Sequence, residues 1–196
     1  AIPDGLALGA TSNINIVGAG SISASTTLAV TINISHAFQT DVDVYLVGPA
    51  NCGAMELTTD NGANGVGSYT GTILNSALTT PLITAGSSPF TGSFKPEGDV
   101  NTAPVAFSAV GGVNYTSLPL VSLVGGTCPI NGTWKLYVGD DFGADIGTLS
   151  SWSLSITNSS PTGNYTDAFS GTGTFGTTTY SGANNSQGNV SVTAVA

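Results

Sequence analysis

Positive charge is nearly missing from this chain. Of 196 residues, two are Lys or Arg against eleven Asp or Glu, a formal net charge of −9. Two cations cannot neutralise a row of phosphates, which excludes nucleic-acid binding. A basic helix lying on a membrane is excluded for the same reason. Charged residues of both signs reach only 7%, which excludes a long charged coiled coil. No apolar run approaches the roughly 18–20 residues that a membrane-spanning helix needs. Histidine is scarce: His36 stands alone, so catalysis through a His base has a single candidate. Cysteine is scarce too, with Cys52 and Cys128 and no Cys-x-x-Cys pair, which argues against zinc and redox roles.

What is present is turn-forming and apolar. Hydrophobic residues make 40% of the chain and alternate in regular patches, so it is not disordered. The 27 Gly and 9 Pro call for many turns. Mean hydropathy is +0.26; with so few charges, the polar surface must come from Ser, Thr, Asn and Gly. The length suits one domain of about 150 residues with an extra piece. Ser/Thr richness, low Lys and two distant cysteines are those expected of an exported protein, secreted or held at a cell surface. The start at Ala1, with no signal peptide, is what a processed or excised segment would show.

Helix periodicity is almost absent, and strand periodicity recurs. Ser12–Val17 reads as a strand. Thr26–Ser35 alternates, with Leu28, Val30, Ile32 and Ile34 on one face and Ala29, Thr31, Asn33 and Ser35 on the other. Asp43–Val47, the short Met55–Thr58, Thr133–Val138 and Ser151–Thr157 follow, with Asp60–Thr70 as a turn-rich loop. Many short strands between turns predict an all-β fold, a sandwich or barrel. Composition shifts at Asn158-Ser159-Ser160-Pro161, which divides the chain into residues 1–157 and a Gly/Thr/Ser-rich extension, 158–196, serving as linker or edge strands.

Five of the eleven acids fall in Asp41-Val42-Asp43 and Asp140-Asp141-x3-Asp145. If strand Asp43–Val47 pairs antiparallel with Thr133–Val138, a register that sets Asp41 opposite Asp140 brings Cys52 to within one residue of facing Cys128. The acids then gather at one end and the cysteines at the other. Lys95 and Lys135 are too few to neutralise that end. A hard divalent cation suits it, because Ca²⁺ takes 6–8 oxygens from carboxylates and carbonyls. The candidate ligands are Asp41, Asp43, Asp140 and Asp145, with Glu97. The competing reading is solvated carboxylates that cap turns. The run Asp60-Asn61-Gly62-Ala63-Asn64-Gly65 reads as a plain turn rather than a second ligand loop.

An even cysteine count in an exported chain reads as a disulfide, Cys52 to Cys128, contributing about 4 kcal/mol for a loop this long; two buried thiols in a reducing compartment is the other reading. His36 shares the inward face of its strand, and no Gly-x-Ser-x-Gly elbow supplies a nucleophile, so it reads as structural. Trp134 and Trp152 alternate with apolar neighbours and read as core rather than as a sugar platform. Tyr69, Tyr115, Tyr165 and Tyr180 are placed in loops or the extension, open to a ligand.

Two stretches carry a family pattern: Val30–Pro49 (VTINISHAFQTDVDVYLVGP) and Asn131–Thr157 (NGTWKLYVGDDFGADIGTLSSWSLSIT). Together they resemble the P domain (P/Homo B domain) of kexin- and furin-type proprotein convertases. The matching positions are His36, Asp41, Pro49, Gly132, Thr133, Trp134, Asp140, Asp145, Gly147, Leu149 and Trp152. Pro89–Gly92, Lys95–Gly98 and Ile2-Pro3-Asp4 are similar to the form found in bacterial exported proteins. The sequence departs from the pattern at Cys128-Pro129-Ile130-Asn131, which replaces a Gly-Glu approach to Gly132-Thr133-Trp134, and at a long Asn101–Thr127. Over residues 1–157 the resemblance implies a jelly-roll β-sandwich without catalytic activity, often carrying calcium. It would stabilise a covalently attached domain, a protease by analogy, within a larger precursor. The alternative is an adhesion or carbohydrate/protein-binding module on the same sandwich, with a cell-surface or extracellular ligand.

Overall fold

A computed structural model describes residues 1–5, 9–17, 26–62, 64–99, 106–110, 113–116, 129–158, 171–175, 178–182 and 190–195. Among these the regular elements are strands and short 3₁₀ turns. The strands are β1 (Ala10–Ile16), β2 (Thr26–His36), β3 (Val42–Val47), β4 (Ala54–Thr58), β5 (Gly67–Asn75), β6 (Ser93–Phe94), β7 (Ala106–Val110), β8 (Val113–Thr116), β9 (Gly132–Asp140), β10 (Gly147–Asn158), β11 (Gly171–Phe175), β12 (Thr178–Gly182) and β13 (Val190–Val195). The all-β expectation holds. No helix among the described residues is long and apolar enough to cross a membrane.

Two sheets carry the core. One runs β1-β9-β3-β4 and the other β13-β10-β2-β5-β6, while β7-β8 and β11-β12 are separate hairpins. Period-2 alternation explains the packing. In β2, Leu28, Val30, Ile32 and Ile34 point inward and are buried, as the sequence predicts. They meet Val42, Val44, Leu46, Trp134, Leu136 and Val138 from the other sheet in one cluster. Trp134 and Trp152 are fully enclosed core residues. Each also finds a partner for its indole N–H: Trp134 Nε1 donates to the Ile130 carbonyl at 2.8 Å and Trp152 Nε1 to Ser12 Oγ at 2.8 Å. The second bond joins β10 to β1 across the sandwich.

Several boundaries differ from the sequence reading. β5 begins at Gly67, so the loop after Asp60 is shorter than Asp60–Thr70, and Tyr69 is a buried strand residue stacked on Phe90 at 5.0 Å. Strand residues were hidden there by Gly67 and Gly71, which look like turn signals. Tyr115 lies in β8 rather than in a loop, Tyr180 lies in the extension, in its strand β12, and Tyr165 lies outside the described residues. In the extension, β13 pairs antiparallel with β10, Ser153 opposite Val195 through Asn158 opposite Val190, and so forms an edge of the five-stranded sheet. Asn101–Thr127 is described only at 106–110 and 113–116.

Candidate functional site

The ladder between β3 and β9 builds the site. The two strands pair antiparallel within one sheet, but Val42 faces Asp140 and Val47 faces Lys135. That is one residue away from the register that opposes Asp41 and Asp140. In a strand a one-residue slip sends every side chain to the other face. Asp140 therefore shares the inward face with Val42 and Val138, while Asp141 takes the position opposite Asp41. The amide of Asp141 donates to the Asp41 carbonyl at 3.1 Å.

Asp140 is buried and pairs across the sandwich with His36, whose Nε2 donates to Asp140 Oδ2 at 3.1 Å. Its Oδ1 accepts the Phe142 N–H at 3.3 Å. His36 Nδ1 stands 2.6 Å from the Phe38 carbonyl oxygen and 3.1 Å from its amide nitrogen. Gly147 faces His36 in the β2–β10 ladder, and a Cβ there would run into the imidazole. Asp145 lies, half-buried, in the turn between β9 and β10. Of the five candidate ligands, Asp140 is thus committed to His36, whereas Asp41, Asp43 and Glu97 lie with the acids described next.

Those acids line one end and the outer face of the four-stranded sheet. Asp43 faces Gly139, and Glu56 of β4 faces Tyr45. The 3₁₀ turn Glu97–Asp99 packs on β4, where Glu97 Oε2 accepts the Thr59 N–H at 2.6 Å and the Asn61 side-chain amide at 2.9 Å. Burial, reinforced by repulsion from Asp60, Asp141, Glu56 and Glu97, pushes the Asp43 carboxyl up to about 7. Burial also pushes Glu97 up to about 7, against the Thr59 and Asn61 hydrogen bonds and with repulsion from Glu56 and Asp60. Asp60 is raised by burial and by Asp141, Asp41 and Glu56. Asp41 is raised by burial, then by Asp140 and Asp141, against the Thr40 hydroxyl that donates to its Oδ1 at 3.3 Å.

Two side chains here carry buried atoms with no hydrogen-bond partner: Asp41 Oδ2, and both Nε2 and Oε1 of Gln39. The Gln39 amide lies under the loop after Asp60, where a Cβ on Gly62 or Gly67 would strike it. Thr40 Oγ1 also reaches Asn64 Oδ1 at 3.4 Å, tying that loop to the Asp41 turn. The Asp60–Gly65 run therefore belongs to the Asp41 cluster. Sequence reading missed Gln39, Glu56, Asp60 and Asp141 as members. Glu56 had a signal: it is an acid set between the apolar Met55 and Leu57 of a short strand, AMELT.

No family model, curated protein or solved structure matches the chain.

Among the described residues, no three His, Cys, Asp or Glu side chains converge closely enough to hold a metal ion by themselves. A cation at this end would also draw on amide and carbonyl oxygens, as Ca²⁺ does in protein loops. The orphaned Gln39 oxygen is of that kind, the orphaned Asp41 oxygen is a carboxylate donor, and the mutually repelling carboxylates give the charge. Oxygen donors throughout suit a hard cation rather than zinc or copper. At the far end of the chain's core, Cys52 is disulfide-bonded. Cys128, the only other cysteine in the sequence, lies outside the described residues.

Proposed function

We propose that this chain is a non-catalytic accessory domain of a secreted or cell-surface bacterial protein, a P-domain-like jelly roll that stabilises an attached protease domain and is itself tied at one end by Ca²⁺. The observation that carries the calcium part is the pair of buried, unpartnered groups, Asp41 Oδ2 and the Gln39 amide, set among Asp43, Asp60 and Asp141. Burying a carboxylate oxygen without a partner is costly. A divalent cation would remove that cost and the repulsion together. Asp41 and the Gln39 carbonyl would hold it together with one neighbouring carboxylate of Asp43, Asp60 or Asp141, and backbone carbonyls and water would complete the shell. When bound, the ion supplies charge neutralisation and cross-linking of loops, not chemistry.

The strand order supports the sandwich part of the reading. The two stretches that resemble a P domain interlock: β2 pairs with β10, and β3 with β9. Each stretch thus places one strand in each sheet, as a jelly roll requires.

The reading is tested by stripping the full chain with EDTA and titrating Ca²⁺ into it by calorimetry. Saturable binding that Asp41→Asn weakens is expected, with calcium retained in elemental analysis of the unstripped protein. No heat and no retained calcium in the wild type would remove the metal from the account.

A further inference from the structure

Four large apolar side chains are prominently exposed among the described residues: Val66 at 86%, Ile146 at 75%, Phe142 at 68% and Val17 at 54%. A single exposed apolar side chain is ordinary. Three of these four, however, hang from one short segment. The Ala37 N–H donates to the Ile146 carbonyl at 3.2 Å, the Gln39 N–H to the Gly65 carbonyl at 3.0 Å, and the Asp41 carbonyl accepts from Asp141 at 3.1 Å. Residues 37–41 therefore hold the loops bearing Val66, Phe142 and Ile146 at the same end of the sandwich. Val17 follows β1 at the opposite end, where Ile16 faces Gly132.

The rim of this apolar group is acidic. Asp60 and Asp141 are exposed: Asp141 directly precedes Phe142, Asp60 opens the loop that leads to Val66, and the buried Asp41 accepts the Asp141 N–H through its carbonyl. Lys135 faces Val47, at the other end of the ladder from Asp43. A divalent ion would cancel two charges of Asp41, Asp43, Glu56, Asp60, Glu97 and Asp141 and leave the rim negative. Exposed apolar tips gathered at one end of a sandwich beside charged residues are the raw material of an interface. A second copy of this chain would set like charges opposite each other, which is disfavoured.

The geometry points to this end, Val66, Phe142 and Ile146 rimmed by Asp60 and Asp141, as a docking surface for a protein partner that presents Lys or Arg around an apolar cluster. This deepens the accessory-domain reading by naming the face and the chemistry of what it meets. It rests on that reading only in requiring a partner, not in requiring calcium. The buried His36–Asp140 pair sets the pose of the surface, because Asp140 Oδ1 anchors the Phe142 amide.

The test uses the full chain and three probes: an amphipathic synthetic peptide of Lys and Leu, its Glu-and-Leu counterpart, and phosphatidylserine vesicles with and without Ca²⁺. Binding to the Lys/Leu peptide is expected, falling about tenfold or more in Phe142→Ser with Ile146→Ser, which leaves the charge unchanged. Asp60→Asn with Asp141→Asn is expected to weaken binding and flatten its salt dependence, and Val17→Ser to leave it intact. The Ser variants are checked for an unchanged melting temperature, and the Asn double variant, whose acids belong to the cation cluster, for an intact cooperative transition in EDTA. Absence of peptide binding overturns the proposal, as does equal binding by wild type and the Ser double variant. Preference for the vesicles through the same residues overturns it too, in favour of a lipid surface. Failure of calcium to stabilise the protein, with peptide binding intact, would count against the metal and not against this surface.

Discussion

His36 and Asp140 meet at 3.1 Å with no solvent exposure on either side chain, one on each sheet of the sandwich. The pair fixes three segments at once. β2 ends at His36, β9 ends at Asp140, and the turn that follows starts on the Asp140 carboxylate.

Breaking that pair from one side should be costly, because it strands a buried charge. His36→Ala is expected to lower stability by about 3–5 kcal/mol. His36→Leu combined with Asp140→Leu should cost less than His36→Ala alone, since no charge is then left behind. Denaturant unfolding of the two variants checks this. Equal stability of His36→Ala and wild type would mean the pair is not formed.

The raised carboxyls set a pH dependence for the metal-free protein. Asp43 and Glu97 ionise near 3.8 and 4.5 when unfolded and near 7 when folded. The folded state therefore holds protons that the unfolded state has already released. Stability should fall as pH rises from about 4 to about 7 and level off above. Melting curves in EDTA across this range test the sign; a rise over the same range would contradict it.

Gln39 separates the two accounts of its own cluster. In EDTA, Gln39→Met removes a buried amide without a partner and should raise stability by about 1 kcal/mol. With calcium present the same change should lose part of the stabilisation that the ion gives. Melting temperatures of wild type and variant, with EDTA and with Ca²⁺, give the comparison.

Reduction of the disulfide at Cys52 should cost about 4 kcal/mol, because the loop it closes is long. Unfolding with and without a thiol reductant measures it. No change would mean that the bond constrains little of the unfolded chain.

Much of the fold was legible in the sequence, for a physical reason. Strands that bury one face must alternate, and β2 and β9 do so cleanly enough to place Val30, Ile32, Trp134 and Leu136 inward. His36 was readable as inward by the same count. β5 was misread because its glycines imitate a turn. The site was legible only as a gathering of acids. Its membership turned on one residue of register between β3 and β9, which sends Asp140 to His36 and puts Asp141 beside Asp41. The signal was there: Val42, Val44 and Leu46 must share a face with Trp134, Leu136 and Val138, which excludes a register opposing Asp41 and Asp140, although alternation alone does not choose among registers two residues apart. Gln39 was invisible because an orphaned amide is a property of packing.

The most direct test of the central claim is thermal unfolding of the oxidised chain at pH 8 in EDTA, in Mg²⁺ and in Ca²⁺. A ligand that binds only the folded state at a hundredfold excess over Kd stabilises by about 2.7 kcal/mol. The account predicts a rise in Tm of that order with Ca²⁺, little with Mg²⁺, and none with Ca²⁺ in Asp41→Asn. The same Tm in all three solutions, with no calcium found in the protein, would contradict it.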